Sequence, residues 1–430
     1  MKFKSTGISL SKLAAVAMVA MHCVSAFATN GYFSHGYGMK AKGMGGAAVA
    51  MTDSAFAGAI NPAIAAWAGN RAELGVDVFM PERGMQRSGS AAGLNAQLSS
   101  DSTSFLIPEF GYNRTINDKM GVGISVYGNG GMNTDYAGGS IPAGVCGPSA
   151  ANVLCGSGRV GVDLMQLIVA PTFAYKVSDK HSVGVSPLLV QQIFKADGLD
   201  MFKSWTPNSS NVTNNGYDSS NGFGMRLGYL GKLSDSVSIG ASYAPRISMS
   251  KFSKYAGLFA DGGNFDIPEN YTVGASIQAT PTVTIALDYQ HIGYNAIPSI
   301  GNPSDSGTPL GAANGPGFGW GDVNATKVGI QWQASAALTL RAGINVGDNP
   351  VKSRDVTFNI LAPGVVTTHY TLGATYALSP SSEITAAYMV APSNSVSGSS
   401  LFNGPMGGMA GNETVKMNQQ AIGVQFGWRW

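Results

Sequence analysis

The sequence has 430 residues, of which 44% are apolar, 12% are charged and 58 are glycine, with a formal net charge of +2. Soluble domains carry about 25% charge and about 7% glycine, yet mean hydropathy here is only +0.07. Beyond the N-terminus there is no apolar run of about 18 residues, which excludes a helical membrane bundle. Collagen is excluded because the glycines follow no three-residue period. Disorder is excluded because Phe, Tyr and Trp recur along the whole length. Balanced charge gives no footprint for a nucleic acid or an acidic partner. What remains is a large all-β protein, either a soluble sandwich or propeller or a transmembrane barrel.

Lys2, Lys4 and Lys12 precede an apolar stretch over 13–28 that ends Ala26-Phe27-Ala28. A basic start, a short apolar centre and an A-x-A end predict a secretory signal peptide over 1–28. The mature chain then begins Thr29-Asn30-Gly31 and keeps two cysteines, Cys146 and Cys155, in a Gly-rich stretch. In an oxidising compartment this pair is expected to form a loop disulfide. A metal site at that point lacks a neighbouring His or second Cys pair.

Residues 29–70 do not alternate. They include Phe33, the run Gly36-Tyr37-Gly38-Met39-Lys40-Ala41-Lys42-Gly43-Met44-Gly45-Gly46, then Asp53 and Asn61-Pro62-Ala63. Such Gly- and Ala-rich chain can fold compactly with close backbone approach. Recurrent Met, Phe, Tyr and Ile speak against a flexible leader and for a plug.

From residue 71 onward the period is two. Segments near 72–80, 103–115, 119–129, 163–177, 180–196, 221–232, 235–247, 268–280, 282–294, 323–334, 336–347, 367–379, 381–395 and 418–430 read as strands. Val237, Ile239, Ala241 and Tyr243 alternate with Ser238, Gly240 and Ser242. The chain ends with Ile422, Val424, Phe426, Trp428 and Trp430 interleaved with Gly423, Gln425, Gly427 and Arg429. One apolar and one polar face per strand is the outer-membrane barrel pattern. Short polar turns such as Asn117-Asp118-Lys119, Ser178-Asp179-Lys180 and Ser379-Pro380-Ser381 alternate with long Gly/Ser/Asn/Pro-rich stretches near 81–102, 130–162, 197–220, 248–268, 295–322, 348–366 and 396–417. Periplasmic turns and extracellular loops differ in this way. Tyr112, Tyr175, Tyr229, Trp332, Tyr376 and Trp428 near strand ends fit interfacial girdles. The expected fold is therefore a fourteen-stranded antiparallel transmembrane β-barrel over 71–430, with 29–70 plugging a lumen too wide for its own side chains to fill.

The stretch Gly43-x-Gly45-Gly46-Ala47 through Asp53 to Asn61-Pro62-Ala63, directly before the first strand, resembles the FadL family of outer-membrane transporters of long-chain fatty acids and other hydrophobic compounds. The resemblance extends over the whole chain, through the signal peptide, the fourteen strands and the aromatic C-terminus. It implies an N-terminal hatch inside the lumen and an inward kink in the third strand that opens the wall sideways. The matching strand is 122–127, followed by Gly128, Asn129, Gly130 and Gly131. Glycine within a strand marks bulges and bends, so a wall defect at these four residues also follows from chemistry. Many relatives carry Pro near this point where this chain has Asn129, which leaves the position of the kink open.

An apolar cargo gains nothing from a water-filled pore, since exposure costs about 25 cal/mol per Å². It needs apolar loops for capture, for which 130–162 with Met132, Ile141, Val145, Val153 and Leu154 is the leading surface. Phe33, Met39 and Met44 are candidates to line a pocket. Lys40, Lys42 and Arg159 are candidates to meet a fatty carboxylate or are ordinary lumen charges. The implied partners are the hydrophobic small molecule and outer-membrane lipid. A closed barrel satisfies its own edges, so a monomer is expected.

His35, His181, His291 and His369 are scattered, no G-x-S-x-G elbow occurs, and Gly156-Ser157-Gly158-Arg159-Val160-Gly161 follows no parallel strand and opens no helix. No metal cluster is visible, so neither an enzyme nor a cofactor is expected. Passive, hatch-gated uptake of hydrophobic molecules, with long-chain fatty acids foremost, is the leading function. The alternatives are an aromatic-hydrocarbon channel of the same fold, a general porin and a structural surface barrel.

Overall fold

The computed structural model describes residues 30–430; the expected signal peptide lies outside them. Fifteen strands occur in chain order: β1 (Arg71–Ser88), β2 (Ala96–Ser99), β3 (Phe105–Asn117), β4 (Met120–Tyr136), β5 (Val160–Lys176), β6 (His181–Asp197), β7 (Asp218–Lys232), β8 (Val237–Ala244), β9 (Asn270–Thr280), β10 (Val283–Ile292), β11 (Val323–Gln333), β12 (Leu338–Gly347), β13 (Thr368–Ser379), β14 (Ser382–Ser399) and β15 (Asn412–Arg429). Each strand from β3 to β15 pairs antiparallel with its sequence neighbour, and β1 pairs with β3. Pairing of β1 with β15, from Arg71↔Arg429 to Ser88↔Asn412, closes the sheet. Only β2 stays outside the ring, as a short partner to the upper end of β1. The barrel therefore has the expected fourteen strands, and closure removes the edges that hydrocarbon could not solvate.

The strands obey the period of two. In β15 the outward side chains include Ile422, Val424 and Trp428, while Gln419, Ala421, Gly423 and Gln425 are buried towards the lumen. Leu74, Val76, Leu227, Val273, Leu287, Ile330 and Leu372 are likewise exposed on other strands. These outward apolar residues form the face presented to lipid. The tight turns fall where the polar dipeptides stand, at 117–120, 178–181, 280–283 and 379–382.

Several strands run past their expected ends. β1 reaches Ser88, β4 reaches Tyr136, β14 reaches Ser399 and β15 begins at Asn412, so parts of 81–102, 130–162 and 396–417 are ladder and not loop. Above the membrane no lipid demands an apolar outer face, so the alternation that betrays a strand disappears while backbone pairing continues.

Residues 30–70 lie inside the ring and contain only short helical turns, including Met39–Lys42, Ala57–Ile60 and Pro62–Ala66. The wall admits them through inward-facing glycines. A Cβ on Gly121 would come within 1.9 Å of the Ala65 carbonyl oxygen, one on Gly240 within 2.2 Å of Val49 O, and one on Gly343 within 2.1 Å of the Met44 carbonyl carbon. Polar strand residues alone could not let backbone approach backbone so closely. Replacing Gly343 by Val should unseat the hatch at a cost of about 1–3 kcal/mol, raising resting conductance in planar bilayers. Gly75→Val, whose Cβ meets only ordinary contacts from 3.4 Å outward, should leave conductance unchanged. Equal, low conductance for both variants would contradict the close seating.

Candidate functional site

The wall is interrupted between β3 and β4. Their ladder runs only from Asn117↔Met120 to Phe110↔Val126, although β3 continues upward to Phe105 on β1 and β4 continues to Tyr136 on β5. Against β5 the register of β4 shifts between Gly128 and Gly130. Asn129 is the extra residue, which makes this a β-bulge that bends the strand. Burial changes there too: from Tyr127 to Met132 every residue is buried, so the inside–outside alternation is lost as the strand turns into the lumen.

The freed edge of β4 is covered by the start of the hatch. Ser34 N donates to Asn129 O at 3.2 Å, and Gly131 N donates to Tyr32 O at 3.2 Å. A Cβ at Gly130 would stand 1.9 Å from Tyr32 O, so only glycine permits this contact. Asn129 is fixed further by its side chain, which donates to Gln166 Oε1 (2.8 Å) and accepts from the Tyr37 hydroxyl (3.2 Å). Phe33 lies beside Tyr294, with ring centroids 5.8 Å apart, and Tyr32 lies beside Trp320 at 6.1 Å. The Tyr294 hydroxyl accepts from the amides of Tyr32 and Phe33 and donates to Asn30 O. Of the candidates from sequence, Phe33, Gly128, Asn129, Gly130 and Gly131 therefore converge on one place.

Met39 and Met44 sit elsewhere, packed on wall glycines: Met39 against Gly423 and Met44 against Gly329. Lys40 bridges Glu73 (2.8 Å) and Glu383 (2.6 Å), and Lys42 bridges Asp77 (2.9 Å) and Glu109 (2.8 Å). Each ammonium is buried between two wall carboxylates, which ties the hatch to β1, β3 and β14. Burial alone would lower the pKa of Lys42, but Asp77 and Glu109 hold it above its ordinary value. Burial, and after it the nearby His369, Lys42 and Lys327, hold the pKa of His35 well below its ordinary value. In the Asn61-Pro62-Ala63 motif, Asn61 Oδ1 caps the helical turn by accepting from Ala63 N (3.1 Å). Its Nδ2 donates to Val49 O and Tyr229 O, so one side chain joins two parts of the hatch to β7. Arg159 lies at the exposed rim and pairs with Asp101 and Asp135. Cys146 and Cys155 are bonded to each other.

Above the hatch the loops fold inward and bury an aromatic-rich core. Leu154, Phe194, Phe202, Leu258, Phe318 and Phe358 line an apolar cleft with about 30 Å³ of free volume. A dry cavity that accepts benzene is on the order of 150 Å³, so this cleft is in a contracted form and must widen to admit a cargo. A second cleft, bordered by Arg83, Met132, Asn133, Trp320, Pro363 and Met417, lies between the loops and the bend of β4. The sequence placed Met132 and Leu154 on the capture surface, but it gave no sign of Arg83, Tyr294 or Trp320, which the loops bring in from far along the chain.

This combination of closed barrel, seated plug and interrupted third barrel strand agrees with the comparisons. Residues 14–429 match the family model described as "Outer membrane protein transport protein (OMPP1/FadL/TodX)". The chain belongs to this family. It is an outer-membrane β-barrel. Its fold is similar to that of the toluene transporter TodX of P. putida, with a TM-score of 0.67 and 19% identity over 92% of this chain and 99% of that one. It is similar in the same way to the toluene transporter TbuX of Ralstonia pickettii (TM-score 0.63, 18% identity, 92% and 99% covered). A FadL homologue of Pseudomonas aeruginosa gives a TM-score of 0.67 at 14% identity, with 93% and 99% covered. No curated protein sequence matches the chain.

Lys42→Met should leave Asp77 and Glu109 as uncompensated buried carboxylates and cost about 3–5 kcal/mol. Urea titration of the refolded barrel in detergent measures this. The variant that also carries Asp77→Asn and Glu109→Gln should recover most of the loss. An unchanged midpoint for Lys42→Met alone would contradict the bridging role.

Proposed function

We propose that this member of the family passes hydrophobic molecules, long-chain fatty acids foremost, from the cell surface into the outer membrane by a lateral route. Cargo is gathered by the apolar loops, held in the cleft beneath them, moved past Tyr32 and Phe33 as the hatch start shifts, and released between β3 and β4. The observation that carries this reading is the missing β3–β4 ladder above Phe110 and Val126, together with the bulge at Asn129. A side exit suits an apolar molecule, because it never has to enter water at about 25 cal/mol per Å². The polar lumen below, filled by hatch backbone and the Lys40 and Lys42 ion pairs, offers such a molecule nothing comparable.

A second reading, uptake of neutral aromatic hydrocarbons, is favoured by the first cleft. No Lys, Arg or His lines it, and TodX and TbuX are toluene transporters. Uptake of labelled oleate and labelled toluene, with the gene deleted and then restored, separates the two. Loss of oleate uptake alone supports the first reading, loss of toluene uptake alone supports the second, and loss of neither contradicts both. Deleting the single bulged residue Asn129 should realign β4 with its neighbours, keep the barrel folded and sharply reduce uptake of the cargo. Undiminished uptake by that folded variant would contradict the lateral route.

A further inference from the structure

Arg83, like buried Arg226 and Lys327, reaches no carboxylate among the described residues, and it differs from every other buried Lys or Arg there in carrying an unpartnered nitrogen. It is 5% exposed and points inward from the upper half of β1. Four positions further along the same face, fully buried Arg87 meets Glu413 at 2.5 Å, and Lys40, Lys42 and Arg341 each reach at least one carboxylate. Arg83 forms no ion pair among the described residues. Its two terminal nitrogens donate to the backbone oxygens of Asn133 and Ser102, and its guanidinium carbon stands 5.4 Å from the centre of the Phe105 ring. The remaining donor, Nε, is buried with no acceptor, and it is the only such nitrogen on a Lys or Arg among the described residues. The Tyr136 hydroxyl, within electrostatic reach of Arg83, is also buried without a hydrogen-bond partner. Asp163 contributes negative potential but makes no salt bridge with Arg83.

A buried guanidinium with an idle N–H costs free energy unless an acceptor arrives. Here Arg83 borders the second cleft, whose other walls are Asn133 and the mainly apolar Met132, Trp320, Ala362, Pro363 and Met417. We infer that Arg83 is the anchor for the carboxylate of an apolar-tailed acid whose tail runs along Met132, Trp320 and Met417 towards the bend of β4. The anion accepts from the Nε–H that is now unused. Arg83 is thus the residue that lets an otherwise apolar route favour an acid over a neutral molecule of the same length. This rests on the proposed transport of fatty acids and adds the group that recognises them.

The test compares oleate, methyl oleate and acetate binding to the full-length protein purified in a neutral-headgroup detergent, for the wild type, Arg83→Gln and Arg83→Lys. The wild type should bind oleate more tightly than its ester and should not bind acetate. Arg83→Gln should lose about tenfold in oleate affinity, the scale of a charged hydrogen bond, while its affinity for methyl oleate stays within about twofold. Arg83→Lys should recover part of the loss. A purely structural latch would weaken acid and ester alike in Arg83→Gln, and that result overturns the inference. So does equal oleate binding by Arg83→Gln and wild type, which leaves fatty-acid transport standing. Wild type that binds no oleate overturns both.

Discussion

In hydrocarbon every backbone N–H and C=O must find a partner within the protein, at a cost of several kcal/mol for each one left over. This constraint accounts for most of the molecule. It forces fourteen strands into a ring closed by β1 and β15, and it makes any break in the ring a place that other chain must cover. The break between β3 and β4 is covered in this way: the hatch start lends Tyr32 O and Ser34 N to the free edge of β4. One short segment therefore serves as plug and as temporary wall. On the proposed route, moving it would free the passage and open the side exit together.

The hatch is held very differently at its two ends. Below, buried ion pairs at Lys40 and Lys42, the Asn61 bridge and the amides of Ala48 and Val49 on Asp288 tie it to several strands. Removing one partner from such a pair leaves a buried charge, so this region resists displacement. At the top, residues 32–34 meet β4 by two backbone hydrogen bonds, the amides of Tyr32 and Phe33 donate to the Tyr294 hydroxyl, and their rings pack on Trp320 and Tyr294. Aromatic faces exchange readily for an apolar ligand, because both partners prefer to avoid water. On the proposed route, this uneven anchoring makes the segment next to the bulge the part that a cargo would displace.

Much of this was legible in the sequence. Period-two alternation with short polar turns gave strand number, facing and the loop-bearing end, because lipid imposes an apolar outer face on every spanning residue. Gly128, Asn129, Gly130 and Gly131 marked the bend, because glycine inside a strand has few other uses. The extensions of β1, β4, β14 and β15 were hidden where lipid no longer enforces the pattern. The counter-charges of Lys40 and Lys42 were present as the inward residues Glu73, Asp77, Glu109 and Glu383, but which lysine meets which acid depends on the seating of the hatch. Arg83, Tyr294 and Trp320 come together only through folded loops, and no spacing in the chain announces such a meeting.

The central claim is that cargo leaves through the wall between β3 and β4. A stearate carrying a photoreactive diazirine near its methyl end, added to the full-length protein in outer-membrane vesicles and illuminated during uptake, reports the path by mass spectrometry of the labelled peptides. Label concentrated on 105–109 of β3 and 127–132 of β4 is the predicted result. Label absent there and found on the inward residues of the periplasmic half, around Gly121, Gly184 and Gly240, would contradict the lateral route and place the exit through the bottom of the lumen.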